Sequence, residues 1–146
     1  MKTVHKSVLI WFTPAEMYQL VADIEKYPLF LPWCDHARVE EDILSGVTAE
    51  LGISFGGIRQ NFVTSNKYTQ DSKIQISLVN GPFSLLNGEW NFKNVGDQNE
   101  RACKVTLDLT YDFKNITLGV LVGPVFDRIA NSLLEAFVNR AKSVYG

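Results

Sequence analysis

Cys34, Asp35 and His36 are consecutive, and a thiol beside an imidazole is the pairing that cysteine nucleophiles use once the thiol proton has been drawn off. Consecutive residues rarely present their side chains to one reacting centre, however, and neither a glycine-rich oxyanion turn nor an orienting partner follows this trio. Neither Cys34 nor Cys103 lies in a CxxC or Cys/His pattern with metal-ligand spacing, so a zinc site is not expected. His5 reads as a strand residue. Glu89 would be an unusual acid if it faced the interior, but alternation with Trp90 and Phe92 sends it to the opposite face, toward solvent. No acid and base pair suited to general catalysis emerges. The expectation is a protein that is not an enzyme and requires no cofactor.

The remaining chemistry is the burial of apolar groups. Of 146 residues, 46% are apolar, 12% aromatic and 21% charged, the profile of a soluble globular chain. Residues 1–146 suit a single domain, which at this size buries roughly 68–70% of its unfolded surface and needs no disulfide or metal. Fourteen basic residues against 16 acidic ones give a formal charge of −2, so a general positive field for nucleic acid is missing and any RNA contact needs a local patch. Arg59, Lys67, Lys73, Lys93, Arg101 and Lys104 are the candidates. Asp71, Asp97, Glu100 and Asp108 are interspersed with them as on an ordinary solvated surface, and no aromatic is interleaved as in single-strand binders. The first residues reach a charge, a proline and a glutamate too soon for a signal peptide, which points to a cytoplasmic protein with free thiols. The uncharged apolar stretch Ile116 to Phe126 has 11 residues, short of the ~20 that span a bilayer.

These side chains need a scaffold. Val4 to Phe12 reads as a strand. Thr13-Pro14-Ala15-Glu16 then predicts a helix start, with Thr13 as cap, Pro14 at the first position and Glu16 completing a capping box. Met17, Leu20, Val21 and Ile24 form its inward face until Tyr27-Pro28 ends the pattern. Tyr27 to Cys34 holds two prolines among large apolar residues and reads as a constrained loop, either the rim of a portal or a plug on one end of the core. Val47, Ala49, Leu51, Ile53 and Phe55 alternate with smaller or polar residues as in a half-buried antiparallel strand, and Gly56-Gly57 is a turn. Further strands are expected at Ile58–Tyr68, Lys73–Val79, Leu85–Val95 and Ala102–Phe113. Thr69-Gln70-Asp71-Ser72, Asn80-Gly81-Pro82 and Gly96-Asp97-Gln98-Asn99 separate them.

From Ile116 to about Val144 the helical period returns, with an apolar stripe through Leu118, Leu121 or Val122, Val125, Phe126, Ile129, Leu133, Phe137, Ala141 and Val144. Gly123-Pro124 is expected to kink this helix or divide off its first turns, leaving a main helix from Pro124 onward. Ile116 to Phe126 reads either as a buried helix start or as a rim element that dips into a membrane surface. The buried reading is preferred because only Lys114 and Arg128 flank the run, whereas an interfacial helix carries cations along its polar face. Repeats, low-complexity tracts and linker-like shifts are not apparent. The fold class is therefore α+β, a curved antiparallel sheet on one long C-terminal helix, and such a sheet leaves room for a cavity.

Tyr27-Pro28-Leu29-Phe30-Leu31-Pro32-Trp33-Cys34, then Gly81-Pro82-Phe83 with Leu86, Gly88, Trp90 and Phe92, then Phe137, Arg140, Ala141, Val144, Tyr145 and Gly146, together resemble the coenzyme Q-binding and RatA (ribosome association toxin) family. That family belongs to the START-like, or polyketide cyclase, group. The resemblance covers essentially the whole chain and implies a helix-grip fold, a sheet wrapped around a long C-terminal helix. Its functional implication is divided. Some relatives are described as binding ubiquinone or a related lipid and supporting respiration; the RatA members are described as toxins that bind the large ribosomal subunit and block its association with the small one.

The physics of the residues prefers a hydrophobic ligand such as ubiquinone, with ribosome binding as the alternative and transient contact with the inner membrane surface as an accompaniment. The inward strand and helix positions also offer Ile76, Phe113 and Phe137, and plain core packing is the competing explanation for all of them. The residues expected to touch the ligand are Leu29, Phe30, Leu31, Trp33, Phe55, Phe62, Phe83, Trp90, Tyr111, Phe126, Ile129 and Leu133.

Overall fold

The computed structural model describes residues 1–43, 45–97 and 100–146. Of the separators expected from the sequence, Gln98 and Asn99 lie outside the described residues. The elements run β1 (Lys2–Ile10), α1 (Pro14–Ala22), a short 3-10 helix (Ile24–Leu29), β2 (Cys34–Ile43), β3 (Gly46–Phe55), β4 (Ile58–Thr69), β5 (Lys73–Asn80), β6 (Phe83–Asn94), β7 (Cys103–Phe113) and α2 (Ile116–Tyr145). All strand pairs are antiparallel, in the order β1-β7-β6-β5-β4-β3-β2. The sheet curves around α2, which touches β1, β4, β7 and α1. This is the helix-grip architecture expected above.

Local chemistry sets the boundaries. Thr13 caps α1, its hydroxyl accepting from the Glu16 amide while the Glu16 carboxylate accepts from the Thr13 amide. Gly56 and Gly57 both have positive φ, 57° and 83°. That is the backbone a two-residue hairpin needs between the paired Phe55 and Ile58, and only glycine adopts it without strain. On β7, Cys103, Val105, Leu107, Leu109 and Tyr111 are all buried, whereas Lys104, Thr106, Asp108, Thr110 and Asp112 face outward.

Two expectations need correction. The strand β2 did not show in the sequence because its run Cys34–Ile43 carries four acidic residues and lies at a sheet edge, where one side faces water and alternation is lost. The second concerns α2, which does not begin at Pro124. It is one continuous helix from Ile116, capped by the Asn115 side chain accepting from the Leu118 amide. Pro124 and Val120, the residue whose carbonyl loses its partner, both lie on the exposed side, so water replaces the missing bond. The helix start is also not buried: Ile116, Val120 and Leu121 are exposed, Ile116 by 87%. The thirty residues of α2 are long and apolar enough to cross a membrane, but Phe126, Ile129, Ala130, Leu134, Phe137 and Ala141 are packed inside the domain.

The ends of α1 and α2 are clamped together. The Arg101 guanidinium donates to the Glu16 carboxylate from both Nε and Nη2 and lies 5.0 Å from the centre of the Phe12 ring, while the Tyr145 hydroxyl donates to the Glu16 carbonyl at 3.0 Å. The hydrogen bond from Arg101 holds the Glu16 carboxyl at about 2, below the usual carboxylate range. A carboxyl depressed on folding contributes stability that is fully present above its unfolded value, near 4.5, and is lost as pH falls toward 2. Urea unfolding of the native chain and of Arg101→Met is therefore expected to differ most above pH 5 and to converge by about pH 2. A difference that stays constant across that range would contradict this linkage.

Candidate functional site

Between the concave face of the sheet and α2 lies a partly open cavity of about 80 Å³. Ile24, Tyr27 and Trp33 close it at the 3-10 helix and the following loop. Ala49, Leu51, Phe62, Thr64, Asn66, Ile76, Leu86, Trp90 and Leu109 come from the sheet, and Phe126, Ile129, Ala130, Leu133 and Phe137 from α2. The wall exists because inward strand positions at period two meet inward helix positions at three- and four-residue spacing. Aromatic rings fix its shape. Phe137 packs edge-on against Trp90 at 5.2 Å, Tyr27 at 5.4 Å and Phe30 at 5.3 Å between centroids.

Six of the twelve sequence candidates line this space: Trp33, Phe62, Trp90, Phe126, Ile129 and Leu133. The other six do not. Phe55 lies beside a separate open groove with Pro32 and Val125, under the Arg128 guanidinium at 5.2 Å from its ring centre. Leu29 is exposed; Phe30 is half-buried between Phe137 and the Arg140 guanidinium. Leu31 and Phe83 are fully buried packing residues, Phe83 stacked against Phe113 and edge-on to Phe126. Tyr111 is buried too, but its hydroxyl is directed to Asp127 on the flank of α2. Apolar type alone does not say whether an inward side chain meets a void or another side chain.

Ile76 and Phe137, expected on the inward face, line the cavity as well. Sequence reasoning missed Ile24, Tyr27, Ala49, Leu51, Thr64, Asn66, Leu86, Leu109 and Ala130. For Thr64 and Asn66 the signal was present: the period that points Phe62 inward points residues 64 and 66 inward too. They are the two buried polar residues among those described, 4% and 5% exposed. The Asn66 Nδ2 donates to the Thr64 Oγ1 at 3.1 Å and, less closely, to the Thr64 carbonyl at 3.4 Å.

Two phenols near the cavity are already engaged. The Tyr27 hydroxyl donates to the Val21 carbonyl, and the Tyr68 hydroxyl to the Ala22 carbonyl at 3.2 Å, so both satisfy carbonyls of the last turn of α1. Burial pushes Tyr27 well above its ordinary value and Tyr68 up to about 12, which keeps both neutral.

The cysteine and histidine do not form a nucleophilic pair. The Cys34 thiol donates to the His36 carbonyl at 3.3 Å, and burial, with help from Asp35, pushes it up to about 11. The His36 ring instead bridges carboxylates, Nδ1 to Asp35 at 2.8 Å and Nε2 to Glu50 at 3.1 Å. It sits over Gly52, which leaves room for it; a Cβ there would come within 2.4 Å of the ring. Glu89 is on the outer face as expected, 3.1 Å from Asn91 Nδ2 and 3.6 Å from Lys73 Nζ. Cys103 is buried, and no group of three metal-ligating side chains occurs among the described residues.

Of the six basic candidates, Arg101 is engaged with Glu16. Arg59, Lys67, Lys73, Lys93 and Lys104 alternate with buried residues and therefore share the convex face. The register sets Lys93 directly opposite Lys104.

A sheet gripping one long helix, with an apolar space between them, defines a helix-grip, ligand-binding fold. The chain belongs to the polyketide cyclase / dehydrase and lipid transport family, whose model matches residues 10–138. Among its relatives, the ribosome association toxin RatA of Pseudomonas aeruginosa is 40% identical over 98% of this chain and 97% of its own. RatA of Vibrio cholerae is 38% identical over 100% and 99%. A mitochondrial coenzyme Q-binding protein, COQ10 homolog B of Xenopus laevis, is 26% identical over 97% of this chain and 58% of its own. The fold is shared with TTHA0849 of Thermus thermophilus, with a TM-score of 0.82 at 18% identity, covering 99% of this chain and 100% of that one.

Proposed function

We propose that this protein acts by binding and not by catalysis, in the cytoplasm and without a cofactor, and that its target is the large ribosomal subunit, where it opposes subunit joining. The observation that carries this reading is the full-length likeness to proteins named ribosome association toxins, against a weaker likeness to a quinone-binding protein that extends well beyond the matched region. The convex face supports it. Lys93 and Lys104 are opposed across β6 and β7, and neither forms an ion pair among the described residues. Like charges directly opposite cost stability that an anionic partner would recover. Ribosomal RNA offers phosphates, and binding through them weakens with salt as counterion release loses its advantage. Co-sedimentation with purified large subunits is expected to fall by about tenfold or more between roughly 50 and 200 mM salt, as a few phosphate contacts require. Salt-independent binding, or none at low salt, would overturn the reading.

A second reading is favoured by the cavity. Its wall is almost wholly apolar, which suits a hydrophobic molecule such as a ubiquinone or another lipid. At about 80 Å³ it is smaller than the ~300–1,000 Å³ of most ligand pockets, so a long isoprenoid would fit only if its walls moved apart. Ile116, Val120 and Leu121, exposed at the start of α2, are the apolar groups that a transient membrane contact would use. Native mass spectrometry after mild purification is expected to show a bound lipid, and an unliganded mass throughout would exclude it. The two readings use opposite faces of the sheet and do not compete for residues.

A further inference from the structure

The cavity carries one polar feature that the apolar-ligand reading does not by itself require, and the inference here rests on that reading. Thr64 and Asn66 lie two residues apart on β4, both at least nine-tenths buried and both in the cavity wall. The orientation of the Asn66 amide follows from its neighbours. The Thr64 carbonyl can only accept, so the group facing it is the Nδ2, which leaves Oδ1 as the free end. Among the described residues no group donates to that oxygen. The Thr64 Oγ1 accepts from Asn66 and keeps its own O–H for a further bond. Tyr27 and Tyr68, the nearby phenols, are spent on backbone carbonyls and cannot serve the pair.

We propose that Asn66 and Thr64 form a recognition pair selective for an apolar molecule bearing a hydroxyl group. The hydroxyl donates its proton to Asn66 Oδ1, and its oxygen accepts from the Thr64 hydroxyl. A carbonyl or ether oxygen of the same shape accepts from Thr64 but leaves the Asn66 oxygen buried without a donor, and the unmade bond to a buried acceptor costs more than the made bond gains.

The test uses three matched probes, 4-pentylphenol, 4-pentylanisole and 4-pentylacetophenone, titrated by calorimetry and by the fluorescence of the chain, since Trp33 and Trp90 both line the cavity. The phenol is expected to bind about three- to tenfold more tightly than either of the others, the range of one net hydrogen bond. Asn66→Leu, which keeps the branching and removes the acceptor, is expected to bind all three alike, and Thr64→Val to keep a reduced preference for the phenol. Equal binding of the three probes by the native chain, or a preference for the ketone, overturns the proposal while leaving the apolar-ligand reading intact. Failure of every probe to bind the native chain overturns both. The native-chain comparison stands whether or not the variants fold.

Discussion

Lys104→Glu is expected to lower affinity for the large ribosomal subunit by about tenfold while leaving the fold as stable as before or slightly more so. Lys104 faces Lys93 across the β6 and β7 ladder, and its Nζ has no carboxylate within ion-pair distance among the described residues. Reversing one charge turns a repulsive cross-strand pair into an attractive one, worth roughly 0.2–1 kcal/mol. At an RNA surface the same change removes a phosphate contact and adds a like charge, and juxtaposed like charges at an interface cost several kcal/mol; tenfold is about 1.4 kcal/mol. Stability and binding thus move in opposite directions, which no unfolding artefact reproduces. Urea melts and co-sedimentation on the same preparation check it. Unchanged binding by Lys104→Glu would remove this corner of the sheet from the interface.

The largest effect on stability is expected from Phe137→Ala, at about 3–5 kcal/mol. Phe137 is 1% exposed and packs edge-on against Trp90, Tyr27 and Phe30, so it joins α2, the sheet and the loop between the 3-10 helix and β2. It also forms part of the cavity wall, so its removal enlarges a space that already exists and the neighbours cannot collapse into it. For a chain of this size the loss corresponds to a fall of roughly 10 °C in Tm. Rescue of that loss by a small apolar molecule that fills the void would identify the cavity in solution. A fall of only about 1 or 2 °C, far below that scale, would show that the wall is not packed as described.

The elements that alternate or repeat cleanly were legible in the chain. The strand β7 shows a strict period of two, and α1 begins on three agreeing signals at Thr13, Pro14 and Glu16, because local sterics and capping bonds are encoded within a few residues. The edge strand β2 was not legible, since Asp35, Glu40, Glu41 and Asp42 interrupt its pattern. Pro124 misled for a related reason: the freed Val120 carbonyl is exposed, so water takes the missing bond and the helix runs on, and exposure is a tertiary property.

The candidate site was half legible. Trp33, Phe62, Trp90, Phe126, Ile129 and Leu133 point inward and meet open space, whereas Phe83 and Tyr111 point inward and meet Phe126. The difference lies in which side chain of α2 faces each strand position, Phe126 in the case of Phe83 and Tyr111, and that is a tertiary relation no local pattern carries. Thr64 and Asn66 were overlooked because apolar type was the criterion for a wall residue, although the period that places Phe62 places them as well. The convex lysines show the same limit in reverse. Their types were readable, but the pairing of Lys93 with Lys104 is a matter of register between strands.

The most direct measurement of the central claim is a sucrose-gradient profile of separated ribosomal subunits brought together in low salt with and without this protein. Added protein is expected to leave large and small subunits in their separate peaks in proportion to its concentration, Lys104→Glu to be weaker in this respect, and raised salt to restore joined ribosomes. Full subunit joining in the presence of saturating native protein at low salt would contradict it.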